Sequence, residues 1–148
     1  MRLNLPECAL KIKKTSRGLS VYDILRKRFV ALTPEEWVRQ HFVHYLIDHK
    51  GYPAGLMGNE LSLEQNGIKR RCDTVVGDLE GRPLVIVEYK APSVTVNQST
   101  FDQIVRYNSV LHARYLMVSN GLSHYCCRMD YDSDSHTFMD DIPPYQNL

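Results

Sequence analysis

The run "PLVIVEYKA", Pro83 to Ala91, constrains the fold more than any other segment of the chain. In an extended backbone Leu84, Ile86, Glu88 and Lys90 share one face, and Val85, Val87 and Tyr89 share the other. Both faces are apolar as far as Glu88. Such a strand needs cover on both sides, which places it at the centre of a sheet with helices above and below. Two charges then stand at the end of a buried strand, and they require a reason.

The rest of the chain supplies the matching parts. "TPEEWVRQHFVHYLIDHKG" reads as a helix, with Thr33 as N-cap, Pro34 at the first helical position, Glu36 closing a capping box and Gly51 ending it. Val38, Phe42, Tyr45, Leu46 and His49 recur on one face. "ELSLEQ" (60–65) alternates, and Asn66–Gly67 is a strong hairpin signal leading into a strand over 68–78. A second turn, "DLEG", leads into the central strand over 81–91. A second helix is expected over 99–113, then short strands over 114–121 and 124–131, and an edge strand in "HTFMDDI". The helical crossover between 91 and 114 predicts that the strands on either side are parallel neighbours. Before Thr33, "CALKIKK" (8–14) is a strand candidate and "LSVYDILRKRFVAL" reads as a short strand and a connector.

These elements define an α/β fold, a mixed central sheet flanked by helices. The 148 residues suffice for one domain, 1–148, with its core over about 33–125. The 18 basic and 17 acidic residues balance to +1, which neither favours nor excludes nucleic acid, because phosphate contacts can be local. Four cysteines without a C-x-x-C pair give no zinc knuckle or redox motif. With no signal peptide and no long apolar run, a cytoplasmic chain without a membrane segment is expected.

The charges at the end of the central strand acquire a partner by symmetry. Asp73 and Glu88 lie equally far from the turn centred between Glu80 and Gly81, so hairpin pairing sets them opposite each other. Two carboxylates in a half-buried place repel, and a hard divalent ion with oxygen ligands relieves that. Lys90 points to the same side as Glu88, where an ammonium can orient water or stabilise charge on a phosphoryl oxygen. The plainer reading is an internal Glu88–Lys90 ion pair.

The segments "LTPEEWVRQHFVHYLI", "GYP", "RRCDTVV", "PLVIVEYKAP", "FDQIVRYN" and "LMVSNG" together resemble the N-terminal nuclease domain of type I restriction enzyme R subunits, within the PD-(D/E)xK nuclease superfamily. The resemblance implies a restriction-endonuclease-like fold and Mg²⁺-dependent hydrolysis of DNA phosphodiesters, with Mn²⁺ as a substitute. It implies that Asp73 and Glu88 hold the metal, that Lys90 is the catalytic lysine and that Glu36 assists, with Glu35 the fallback. It puts Gln103 and Tyr107 on the substrate side, where Arg71 and Arg106 would add phosphate contacts. Cys72 replaces the proline that often precedes the first aspartate, and a core thiol is expected there. No G-x-x-x-x-G-K-[ST] segment occurs, so an ATP-driven motor and a specificity or modification subunit would be separate partners. The alternative is a catalytically silent DNA-binding or assembly module of a restriction complex. A purely structural domain with a buried ion pair is the third reading.

Overall fold

The computed structural model describes residues 1–148 and begins with a small antiparallel meander. Its strands are β1 (Ile12–Thr15), β2 (Gly18–Asp23) and β3 (Arg28–Ala31), in that spatial order. The sequence reading gave one strand and a connector after Gly18; the structure has two strands. Asp23 makes the difference: its Oδ1 accepts from the backbone N–H of Leu25 (2.7 Å) and of Arg26 (3.0 Å), closing a tight turn between β2 and β3.

Helix α1 (Pro34–Lys50) starts and stops where the sequence requires. Thr33 Oγ1 accepts from the Glu36 N–H at 3.1 Å, and Gly51 takes a left-handed φ of 72° that frees the chain to leave. The capping box is only half made, because the Glu36 carboxylate turns inward to arginines instead of back to the cap. Val38, Phe42 and Leu46 are fully buried; Tyr45 is half-buried, and His49 is exposed at the end of the stripe.

Six strands form the main sheet: β4 (Met57–Gln65), β5 (Ile68–Gly77), β6 (Pro83–Tyr89), β7 (Tyr115–Ser119), β8 (His124–Asp130) and β9 (Ser135–Phe138). They lie in sequence order, with β6 and β7 parallel and every other pair antiparallel. Helix α2 (Gln98–Ser109) makes the crossover between the parallel pair. It stops earlier than the periodicity suggested: the chain turns over Val110–His112, and His112 takes a φ of 55° that a right-handed helix does not accommodate.

The central strand is covered on both sides. Val85, Val87 and Tyr89 pack with Val38, Phe42 and Leu46 of α1, while Ile86 packs with Phe101, Ile104 and Val105 of α2. Each such buried aliphatic side chain contributes about 1.5–3 kcal/mol, so the two cores fix which ends of β5 and β6 meet. Alternation slips on β5, where Cys72 and Val75 both pack into the α2-side core although they stand three positions apart. The slip falls across Asp73 and Thr74.

Candidate functional site

Thr74 pairs with Val87, Val75 with Ile86 and Val76 with Val85, and the next step of this register sets Asp73, midway along β5, opposite Glu88, near the end of β6. The register is the one set by the turn. A bulge between Val76 and Gly77 is absorbed near the loop and does not shift the acids. The Tyr89 N–H donates to Asp73 Oδ2 at 2.8 Å and holds this carboxylate against the next strand.

The two acids are electrostatically coupled. Burial pushes the Glu88 carboxyl up to about 7, the charge of Asp73 pushes the same way, and Lys90 opposes both. Asp73 is also raised, by burial first; the Tyr89 N–H and the Arg39 guanidinium work against that rise. Glu88 has no hydrogen-bond or ion-pair partner in the protein, whereas Asp73 has the one backbone donor.

Lys90 follows β6, its N–H bound to the Ser119 carbonyl at 2.9 Å. Its ammonium makes no ion pair within 4.0 Å, so the Glu88–Lys90 pair of the plainer reading is not formed. Its charge nevertheless acts on both Asp73 and Glu88. Cys72 is a buried core thiol, pushed up to about 12 by burial and then by these two carboxylates.

Glu36 is buried, and Glu35 beside it is exposed. The Glu36 carboxylate accepts from Arg26 Nη2 at 2.7 Å and from Gln40 Nε2 at 2.8 Å, and it lies 3.1 Å from Arg39 Nε, whose N–H is not aimed at it. Arg39 carries the network on toward the sheet: Nη1 donates to the Asp73 carbonyl at 2.6 Å and Nη2 to Glu60. Glu36 therefore reaches the acid pair only through Arg39.

Sequence reasoning missed Arg39 and Glu60. Glu60 stands opposite Asp73, between the pairs Asn59–Thr74 and Leu61–Cys72. The signal was present: Glu60 and Asp73 are equally far from the Asn66–Gly67 turn, the relation that paired Asp73 with Glu88. A row of three acids thus crosses β4, β5 and β6. Glu60 takes a left-handed φ of 56°, rare for a residue with a side chain. Its carboxylate is held by Arg39 and, at 2.6 Å, by Arg71 Nε. Burial alone would raise Glu60; those two hydrogen bonds override it and keep the carboxyl below its usual value.

Of the substrate-side candidates, Arg71 is spent on Glu60, with its side chain otherwise in solvent. Gln103, Arg106 and Tyr107 are exposed on α2, and none of their side chains hydrogen-bonds or ion-pairs with the acids. Tyr107 is tied to β5 indirectly: the Arg70 guanidinium sits 4.4 Å from its ring centroid, and Arg70 Nε donates to its carbonyl at 3.1 Å. No group of three or more His, Cys, Asp and Glu side chains gathers in a metal-ligating arrangement. No helix is long and apolar enough to cross a membrane.

This architecture is that of restriction-enzyme domains. The chain superposes on the fragment structure described as an HsdR subunit of a type I restriction enzyme from Vibrio vulnificus YJ016, with a TM-score of 0.52, 18% identity, and coverage of 77% of this chain and 24% of that one. Identity this low establishes the fold and not the roles of residues. The structure of a DrdV–DNA complex, solved by electron cryomicroscopy, aligns at a TM-score of 0.45 and 17% identity over 74% of this chain and 11% of that one. No curated protein matches. Residues 34–143 match the family described as type I restriction enzyme R protein N terminus (HSDR_N), and the chain belongs to that family. It spans about a quarter of the length of the Vibrio fragment.

Proposed function

We propose that this domain is a DNA-engaging module of a restriction complex, built around a two-carboxylate cation site and catalytically silent on its own. The observation that carries the reading is the allocation of the acids on α1, β4, β5 and β6. Glu36 is committed to Arg26, Arg39 and Gln40, and Glu60 to Arg39 and Arg71. Asp73 and Glu88 remain, both raised first by burial, Glu88 also by the charge of Asp73 and Asp73 by that of Glu60. Their donors are hard carboxylate oxygens, and Glu88 has no partner, so the pair suits Mg²⁺ or Mn²⁺. Two carboxylates bind such an ion weakly; DNA phosphate and a partner subunit would complete the site. The family supports a place in a restriction assembly; a motor and a specificity subunit are the partners this reading expects.

A second reading, Mg²⁺-dependent hydrolysis of DNA by this chain alone, rests on the unpaired state of Lys90. A divalent ion held by Asp73 and Glu88 would supply Lewis-acid stabilisation of phosphoryl charge. Lys90 would orient the attacking water, and Glu36 would assist through Arg39. Gln103, Tyr107, Arg71 and Arg106 would guide the backbone. Incubation with supercoiled plasmid and Mg²⁺ or Mn²⁺ separates the two. The favoured reading predicts bound, intact plasmid; nicking that disappears in Asp73→Asn supports the second.

A further inference from the structure

The meander β1–β3 lies before the first residue of the family match. Its charge is segregated from the rest of the chain. Residues 11–28 hold Lys11, Lys13, Lys14, Arg17, Arg26, Lys27 and Arg28 against a single acid, Asp23. Seven cations less one acid give +6 in a chain whose total is +1, which leaves −5 for everything else. Asp23 is buried and taken by Arg26, Asn59 and its own turn. The other six cations are exposed and have no carboxylate within 4.0 Å.

Two of these charges, Lys11 and Lys13, share a face with aromatic rings, while the register sets Lys14 and Arg28 on the opposite face. Tyr22 and Phe29 are cross-strand partners whose rings meet edge to face, with centroids 5.4 Å apart. The Lys13 ammonium sits 4.2 Å from the Phe29 ring centroid, and the Lys11 ammonium 5.5 Å from that of Tyr22. Phe29 is 37% exposed. The opposite face turns inward through Val21, which is fully buried. The hairpin is anchored to the rest of the fold through Arg26, which bridges Asp23 and Glu36.

From this we infer that the outward face of the meander is a platform for an unpaired DNA strand. Phosphates would pair with the lysines, and a base would stack on Phe29 as Lys13 swings from the ring to the backbone. A meander of net charge +6 attracts a polyanion, and an exposed ring beside Lys13 favours a strand with accessible base faces over a closed duplex. The inference deepens the DNA-engaging reading and rests on it. It adds a second contact surface, joined to the acid pair through Arg26, Glu36 and Arg39.

The test is fluorescence anisotropy of the full chain with labelled oligothymidylate and with a duplex of equal length. EDTA is present, so the acid pair contributes no cation-mediated contact. Lys11→Gln with Lys13→Gln should weaken oligothymidylate binding on the order of tenfold and lower the slope of log K against log salt by about 1.4. Phe29→Leu, which keeps an apolar strand residue, should cost about fivefold on the single strand and leave the duplex unchanged. Circular dichroism confirms that each variant is folded. Single-strand affinity unchanged in both variants, or a wild-type preference for duplex, would overturn the platform. Cation binding by Asp73 and Glu88 is measured separately, so that outcome leaves the acid-pair reading standing.

Discussion

Arg39 holds the backbone of Asp73: its Nη1 donates to the Asp73 carbonyl at 2.6 Å while Nη2 binds Glu60. One buried guanidinium thus fixes the strand that carries the first acid and neutralises the acid next to it. Replacing Arg39 by Met would leave Glu36 short of a counter-charge and free Glu60 from its inner anchor. A loss of about 3 kcal/mol in urea-unfolding free energy is expected. Lys at this position would recover only part of that, since one ammonium cannot reproduce the fork.

Glu88 should give the protein a pH-dependent stability. Unfolded, it titrates near 4.5; folded, near 7. The folded state binds the proton more tightly, so its contribution is complete below the unfolded value and is lost as pH rises toward about 7. Asp73, raised as well, acts in the same sense. Glu88→Gln should stabilise the protein above pH 7 and change little below 4.5. Thermal melts of both proteins across that range check the prediction.

The turn after β7 offers a steric test. Gly121 has a φ of 85°, and a Cβ there would approach Leu3 Cδ2 to 2.7 Å and Val38 Cγ2 to 3.1 Å. Gly121→Ala combines a disfavoured backbone with a clash against the α1-side core, and a loss of about 2 kcal/mol is expected. The same turn carries Ser119, whose carbonyl holds the N–H of Lys90. Loosening it should weaken cation-dependent DNA binding as well as stability, which anisotropy measurements with and without Mn²⁺ would reveal.

Plasmid retained in a gel-shift assay but not nicked after long incubation with Mn²⁺ is the expected behaviour of the isolated chain. Supplying a restriction motor and specificity subunit is expected to change that outcome only when both Asp73 and Glu88 are intact.

How much of this was legible in the residues depends on where the information lies. The central strand, both helices and their opposite placement follow from periodicity and caps. The Asp73–Glu88 register follows from one turn. Glu60 was as legible by the same rule, but an alternating strand beginning with a glutamate invites a solvent-facing reading, and a positive φ for Glu60 is not encoded in any motif. Arg39 was hidden for a different reason: a helix pattern says which residues are apolar, not where a guanidinium in the next row will reach. The second strand of the meander was missed because "DILRK" reads as a connector until the side chain of Asp23 is seen to close the turn.

The central claim is that Asp73 and Glu88 share one hard cation. Mn²⁺ titration followed by electron paramagnetic resonance, in wild type and in Asp73→Asn, measures it directly. The account predicts a single Mn²⁺ in the wild type, displaced by excess Mg²⁺, and its loss in the variant. Equal Mn²⁺ occupancy in the two proteins, or none in the wild type, would contradict it.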